Sequence, residues 1–581
     1  MLKYRKIDGR ESDPAPIRWL PYILFLAITA VLAIPLLKNI GYWGIRDWDL
    51  FTTLHAAAVR SIVEFGQFPF WNPYIGGGNI LFAHPEVPVL NPLFGLLLIF
   101  GPLIGLKIQV VIVYFIGLTG FYKLSRQEGI GFWGALMAAI VFMLSSYLTL
   151  HFAVGHIPFH SFAVFPWLLF FYRKSLTHPL HILSAGAVVG FIILGSGAAV
   201  PLLFSLFFLF LFSLFDCAQG RGLRPPLYAI LAGICGILFG AIKFFPMFDY
   251  LNRHPWIPDG TVQITSWSAL PKMFFSFQQS PFAQHATEVW GWHEYGAFIG
   301  PMAAFLALVA VVTRFRQVWP YVVLICFSLV LVLGSFWPPF SPWDLLHKLP
   351  GFESIRVPSR FALLALICVA LLAGRGVDAL QSLFAYRRMT LGILLCGTVL
   401  VTHLIVCLPI LNKAFVRPPA KLRINADFKQ IEGDPNQMYS AFLANRGTLR
   451  AAWLSAYRPG RGILGQDNRA SEWYSENKAV TVIGREFSPN RLAFDLQTVT
   501  GGTLTISQGF DQGWRRTDGG EIKPVSDLVS FFVHPTDQRI MLEYFPDYFI
   551  AGAVVTKLSI LSAIFGPVIY RRRRSSKIPR R

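Results

Sequence analysis

Twelve stretches of the chain are apolar enough to be read as bilayer-crossing helices, which need about 20 mainly apolar residues each. They lie near 19–37, 104–122, 131–150, 157–172, 180–197, 200–216, 226–245, 296–313, 318–336, 359–375, 389–410 and 548–570. The stretch 89–103 is also apolar but carries Pro92 and Pro102 and is too short to cross alone; it predicts a half-helix lying against the membrane. The first span is followed by PLLKNIGYW, which lacks a small-x-small cleavage site, so it reads as a retained anchor. Between the last two spans the pattern changes. Residues 479–487, 491–499, 502–508, 527–534 and 538–545 alternate apolar and polar positions, bounded by Gly, Pro, Asn and Asp. That period predicts antiparallel strands, and five or more of them predict a small β-sandwich tethered over 411–547.

Composition agrees. Hydrophobic residues make up 54% and charged residues 14%, the latter about half the usual share. This excludes a disordered chain, a nucleic-acid-binding arm and an ordinary soluble enzyme. The 51 Lys plus Arg against 31 Asp plus Glu would suggest nucleic acid in a soluble protein. Here the basic residues fall in every second connection: Lys3, Arg5, Lys6, Arg10 and Arg18; Lys123 and Arg126; Arg173 and Lys174; Arg221 and Arg224; Arg314 and Arg316; Arg375, Arg387 and Arg388; and the tail RRRRSSKIPRR. The opposite short connections near 151–156 and 198–199 have none. By the positive-inside rule both termini are cytoplasmic, and the excess charge is a topology signal that meets membrane lipids, with no nucleic-acid partner implied. The organisation is thus a polytopic α-helical membrane domain over 1–410 with an external loop at 38–103, a β-rich external domain at 411–547, and a last span with a basic tail at 548–581. Further external segments are 246–295 and 337–358. The six cysteines lie in or beside apolar runs without a CxxC pair, so neither a disulfide framework nor a zinc site follows.

The first external loop carries the candidate chemistry. Asp47 and Asp49 stand about ten residues beyond the first span. In an extended segment residues i and i+2 point the same way, so the two carboxylates could share a metal or act as base and helper. Asp49 is equally placed to cap an amphipathic helix at 50–65, whose apolar face is Leu50, Phe51, Leu54, Ala58, Ile62 and Phe65. Both readings stand. Downstream, Trp71-Asn72-Pro73-Tyr74 runs into Gly76-Gly77-Gly78. Three glycines permit a tight turn or close approach of a ligand, but no Lys-Ser/Thr follows, so this is not a P-loop.

FPFWNPYIGGGNILFAHPEVPVLNP, behind a first span, an acidic residue and an amphipathic helix, resembles the YfhO-like family of bacterial membrane proteins in the GT-C glycosyltransferase superfamily. Gly155-His156 with Pro166-Trp167, Glu294-Tyr295-Gly296, LPGFESIRVPSRF at 349–361, and FSPNRLAFDL, QGFDQGWRRTDGG and MLEYFPDYFIAG follow in the family's order. The resemblance implies a GT-C-like multi-pass enzyme of the bacterial cytoplasmic (inner) membrane. It would move a sugar from a polyprenyl-phosphate-linked donor to an extracytoplasmic glycan, lipid or protein acceptor. It also implies a catalytic carboxylate in the first external loop, where Asp49 fits best with Asp47 beside it. Asp47 and Asp49 would hold a divalent cation, Mg or Mn, only with further oxygen donors.

The remaining residues are read against that reaction. A lipid phosphate needs cations at the membrane surface, for which Arg356 and Arg360 are the candidates, with Lys348 and His347 behind them. His156 could donate to phosphate. Trp48, Trp71 and Tyr74, with Glu294 and Tyr295, are candidates for contact with sugar or acceptor, and the external Trp267, Trp290 and Trp292 could stack on sugar faces; interfacial belts also collect Trp. Two other classes remain: a secondary transporter or lipid flippase, and a non-catalytic scaffold whose β-domain binds glycan. Transporters place charges or broken helices at mid-membrane, whereas the polar interest here is external. His403 and Lys557, inside apolar runs, receive no role.

Overall fold

The computed structural model describes residues 15–254, 264–282, 290–451, 463–464 and 470–575. The N-terminal basic residues Lys3, Arg5, Lys6 and Arg10 lie outside them. Among the described residues, eight helices are long and apolar enough to cross a membrane, nine if the bent pair Arg224–Phe239 and Ala241–Arg253 is one span. The chain is a multi-pass membrane protein. The twelve expected spans are met in part. The stretch 131–150 is a kinked pair of helices, Phe132–Met143 and Ser146–Val154, and three further differences follow. The stretches 157–172 and 180–197 are the shorter helices His160–Ser175 and His181–Leu194. The stretch 226–245 breaks at Gly240, with a 92° bend between its halves. The stretches 296–313 and 318–336 form one helical element, Gly300–Val332, interrupted where Arg314 leaves helical geometry. Gly376 lies against the Leu306 carbonyl, while the Arg375 guanidinium sits 5.9 Å from the Tyr321 ring. In a straight helix Leu306 and Tyr321 would be about 22 Å apart, so the two limbs fold back on each other at Arg314.

The basic connections gather at one end of the bundle. Arg173 pairs with Glu128 at 2.9 Å and with Asp216, Arg221 reaches Asp216 at 3.2 Å, and Arg375 approaches Glu128 at 3.8 Å. Residues read as topology signals thus also neutralise the buried Asp216 and the half-buried Glu128. Of the two unassigned residues, buried His403 donates from Nδ1 to the Val399 carbonyl at 2.8 Å. Lys557 is exposed on the outward side of its helix.

At the other end, two antiparallel sheets stack as a sandwich. One orders Leu528–Val533, Gly502–Gly509 and Trp473–Ser475; the other orders Trp514–Arg516, Arg539–Tyr544, Arg491–Thr498 and Val480–Ser488. The five strands expected from period-two alternation appear within one or two residues. The three-residue strands at 473–475 and 514–516 are too short to show a period.

The sandwich does not close on its own residues. Phe70, Trp71, Ile80 and Phe82 of the loop after the first helix join Phe494, Leu504, Phe531 and Leu542 in one core. Backbone bonds sew the seam: Gly77 N–H donates to Thr448 O at 3.0 Å, and Gly509 N–H to Gly77 O at 2.9 Å. Gly78 has φ +101°, and any side chain there would collide with Gln508 Oε1. The glycine triplet is therefore a docking seam.

Trp71 anchors this seam. It is 2% exposed, donates from Nε1 to Gln508 Oε1 at 2.9 Å and packs against Trp514 and Tyr544. Trp71→Ala should destabilise the sheet domain by about 3–5 kcal/mol, the usual cost of emptying an aromatic core site. Chemical denaturation of the purified protein followed by limited proteolysis of residues 470–545 checks this.

Candidate functional site

The loop that leaves the first helix turns at Arg46, a non-glycine residue with φ 52°, whose Nε donates to the Pro281 carbonyl at 3.1 Å. Helix Trp48–Val63 follows. Asp47 already has helical angles (φ −71°, ψ −7°) and makes no side-chain cap. Successive helical residues turn by about 100°, so Asp47 and Asp49 leave the backbone on nearly opposite sides. The expectation of an extended segment with both carboxylates on one side is corrected here, and with it the shared metal. The helix also starts one residue before Asp49, so Asp49 is not its N-cap.

Asp47 faces a cluster assembled from distant segments. Its Oδ2 lies 3.1 Å from His156 Nε2. His156 Nδ1 meets His151 Nδ1 at 2.7 Å, a contact that needs one N–H and one bare nitrogen. With Asp47 ionised, His156 donates from Nε2, so His151 holds its proton on Nδ1 and its Nε2 is bare. That nitrogen is buried without a partner, which a bare acceptor tolerates better than an N–H would. Gly155, with φ +91°, lets the chain turn into His156, and a side chain there would strike the Trp48 backbone. The Gly155-His156 pair thus sets the imidazole onto Asp47.

Glu294, 3% exposed, accepts a two-pronged contact from Arg360, Nε to Oε2 at 2.9 Å and Nη2 to Oε1 at 2.5 Å. Arg360 is itself fixed: its carbonyl accepts from Tyr147 Oη at 3.2 Å, and its guanidinium lies over Phe159 at 5.3 Å. His293 puts its ring 5.6 Å from that of His156. One ligand atom each from His156, His293 and Glu294 falls within 4.8 Å of the others, which makes these three the group able to hold a metal ion. Both His156 nitrogens and both Glu294 oxygens already have partners, so an ion would have to displace the Asp47 or Arg360 contact.

Glu86 completes the cluster and was not singled out from sequence. Lys243, buried at the bend of the broken helix pair, donates to the carbonyls on either side of it, Pro85 at 3.4 Å and Val87 at 2.6 Å, and to Gly195 at 2.8 Å. Burial pushes the Glu86 carboxyl up from 4.5 to about 7; among its charged neighbours His156, Arg360 and Lys243 oppose the shift and Asp47 adds to it. Its sequence signal was a carboxylate between two prolines in HPEVP. His293 and Lys243 gave no signal beyond their type.

Asp49 has a different role in the fold. Its carboxylate accepts from the backbone N–H groups of Met438 at 2.8 Å and Tyr439 at 3.2 Å, at the start of helix Met438–Leu443. Burial raises its carboxyl against the two amides and Arg417, with Asp434 also raising it. Neither Arg356 nor Arg360, the cations expected at the donor phosphate, is among the residues that hold Asp49. Arg360 belongs to Glu294, and the Arg356 guanidinium lies 5.7 Å from the Trp290 ring. His347 bridges the Trp343 and Ile355 carbonyls at 2.9 and 2.7 Å. Of the aromatic candidates, Trp48, Trp71, Tyr74 and Tyr295 are 1%, 2%, 1% and 3% exposed, too buried to meet a sugar in this conformation. Trp48 donates to the Phe152 carbonyl at 3.0 Å, and Tyr74 packs between Phe428 and Phe442.

No protein-family model matches the chain, and no curated protein sequence matches it. Among solved structures it is similar to the arabinofuranosyltransferase AftD from Mycobacteria, with TM-score 0.44 and 13% identity over 69% of this chain and 28% of that one. It is also similar to ArnT from Cupriavidus metallidurans bound to undecaprenyl phosphate, with TM-score 0.39 and 14% identity over 69% and 77%. A third is the archaeal oligosaccharyltransferase AglB from Archaeoglobus fulgidus, in complex with an inhibitory peptide and a dolichol-phosphate, with TM-score 0.43 and 10% identity over 77% and 65%. The chain thus spans about a quarter of the AftD chain and under two thirds of AglB. At these scores the likeness is distant, and none of the site geometry depends on it.

Two outcomes follow from the geometry. Arg360→Met leaves Glu294 buried and unpaired and should cost about 3–5 kcal/mol, while the Glu294→Met/Arg360→Met double variant should recover most of it; detergent-solubilised thermal unfolding of the three proteins tests this. Glu86 has a raised folded-state pKa, so its contribution to stability is complete below 4.5 and is lost as pH rises through about 7. Relative to Glu86→Gln, which cannot ionise, the native protein should lose Tm steadily across that window, read by thermal unfolding at stepped pH.

Proposed function

We propose that the chain is a membrane glycosyltransferase that moves a sugar from a polyprenyl-phosphate-linked donor to an acceptor on the outer face of the cytoplasmic membrane, and that Asp47 is its catalytic carboxylate. The observation that carries this reading is the convergence of Asp47, Glu86, His156, His293, Glu294 and Arg360 at the loop-bearing end of the bundle. They come from five separate segments, and such a concentration of ionisable groups is costly unless it does chemistry. The family resemblance in the sequence supports the substrate class. The gathering of Arg126, Arg173, Arg221 and Arg375 toward the opposite end supports a cytoplasmic location for that end.

In this reading the acceptor hydroxyl gives its proton to Asp47, its oxygen attacks the anomeric carbon, and the carbon–oxygen bond to phosphate breaks with the electron pair leaving on phosphate. The His156–His151 chain holds Asp47 as an acceptor. Arg46 at the rim, with Arg356, supplies positive charge toward the departing phosphate, while Arg360 holds Glu294 in place. If a divalent ion takes part, His156, His293 and Glu294 would hold it, and it would add charge stabilisation to the same phosphate. The broken helix pair at Gly240 is the one feature that favours a transporter. Its buried Lys243 is engaged by three carbonyls, which argues for a fixed pin.

Paired carboxylate variants test the assignment. In liposomes supplied with a polyprenyl-phosphate-linked sugar, Asp47→Asn should lower transfer by roughly a hundredfold or more, the scale of a lost general base. Asp49→Asn should lower transfer several-fold at most, because its amide oxygen keeps one of the two bonds from the Met438 and Tyr439 N–H groups. Loss of transfer in Asp49→Asn with an active Asp47→Asn would return the catalytic role to Asp49.

A further inference from the structure

Behind the Asp47 cluster, on the other side of Trp48, lies a cavity of about 280 Å³ lined by Trp43, Trp48, Asp49, Arg417, Gln437 and Tyr439 among others. We propose that this cavity is a carbohydrate subsite that seats one neutral sugar ring of the acceptor. The inference rests on the transferase reading and names the acceptor class that reading leaves open.

The volume sits just under the usual range of small-molecule sites, about 300–1,000 Å³, which suits one ring and not a chain. The walls are the kind that recognise a polyol. Trp43 is half-buried and meets Tyr439 edge to face, with centroids 5.3 Å apart. The two rings form an aromatic corner against which the C–H face of a pyranose can lie. The rest of the lining includes a carboxylate, a guanidinium and side-chain amides, the planar hydrogen-bonding groups that bridge neighbouring hydroxyls.

Charge selects further. Asp49 and Arg417 are the only Asp/Glu and Lys/Arg side chains among the lining residues, so a phosphate here would meet a carboxyl group beside its one cation. That separates it from the donor's phosphate and assigns it to the acceptor. The site is also built. Asp49 is fixed by the amides of Met438 and Tyr439, and the Arg417 backbone pairs with Trp43, N–H to O in both directions at 2.7 and 3.4 Å. Leu103, at the start of helix Pro102–Gln127, closes the floor. The bound ring would therefore rest close to the membrane surface. Trp48 separates it from Asp47, so the ring held here is a neighbour of the sugar that receives the transfer.

Saturation-transfer NMR on the full-length protein in detergent tests this with methyl glucoside, methyl galactoside and methyl mannoside as probes and no donor present. At least one should show transfer to its ring C–H protons. Trp43→Ala and Arg417→Gln should weaken that signal about five- to tenfold, the scale of a lost aromatic face or charged hydrogen bond. Asp47→Asn should leave it unchanged. Gln437→Trp, which fills the cavity from its exposed rim, should abolish it in a protein whose thermal unfolding is otherwise native. No transfer to any of the three probes, or a signal indifferent to Trp43, Arg417 and Gln437, would overturn the subsite. Sugar binding without glycosyl transfer would defeat the transferase reading alone, and transfer without sugar binding at this cavity would defeat the subsite alone.

Discussion

The hydrogen bond from the Trp48 indole to the Phe152 carbonyl, with the Trp48 backbone laid against Gly155, is the constraint on which the site depends. It fixes the first turn of helix Trp48–Val63 against the kinked helix pair that ends at Val154. Because helical geometry sends alternate side chains to opposite sides, that one placement decides two things at once. Asp47 must face His156, and Asp49 must face the segment that leads into the sheet domain. A residue with a side chain at 155 would lift Trp48 and turn both carboxylates away from their partners.

Buried positive charge does structural work throughout this end of the molecule. Lys107, inside an apolar span, donates to the carbonyls of Asn39, Ile40 and Tyr42 at 2.9–3.0 Å and so closes the exit from the first helix. Lys243 does the same around Glu86. An ammonium offers three donors in a nearly tetrahedral array, which matches three carbonyls of an irregular loop better than a planar guanidinium can. Arg360 has the complementary task, its fork matching the two oxygens of Glu294. Lysine is used where backbone must be gathered, and arginine where a carboxylate must be held.

This division explains what could be read from the sequence. Period and hydropathy marked the strands of the sandwich and most spans, because burial in lipid or between sheets imposes a repeat on the residues themselves. Asp47, His156, Glu294 and Arg360 were each legible as chemistry-bearing residues in polar gaps between apolar runs. Their mutual arrangement was not legible. The spacing of Asp47 and Asp49 leaves an extended and a helical segment open, and only the start of the helix at Trp48 sends the two carboxylates to different partners. The glycine triplet is legible as an unusual backbone need, met here by the docking of one backbone against another, whereas Trp71, expected to contact sugar, is buried in that same seam. Lys107 and Lys243 were invisible, since a lone lysine at the edge of an apolar run is ordinarily a membrane-surface residue that reaches outward.

The sheet domain contributes none of the six residues of the Asp47 cluster, yet the site depends on it. A long loop with a single helix does not stay ordered unaided. Here its apolar residues Phe70, Trp71, Ile80 and Phe82 complete the sandwich core, each worth about 1.5–3 kcal/mol when removed from water. Arg60 reinforces the attachment, donating to the Phe442 carbonyl at 3.1 Å with its guanidinium 3.9 Å from the Phe442 ring. Asp49 makes the nearest link of all, about half a turn of helix from Asp47. The domain therefore acts as a clamp on helix Trp48–Val63, and the force that holds Asp47 against His156 originates in a hydrophobic core built from the far end of the sequence.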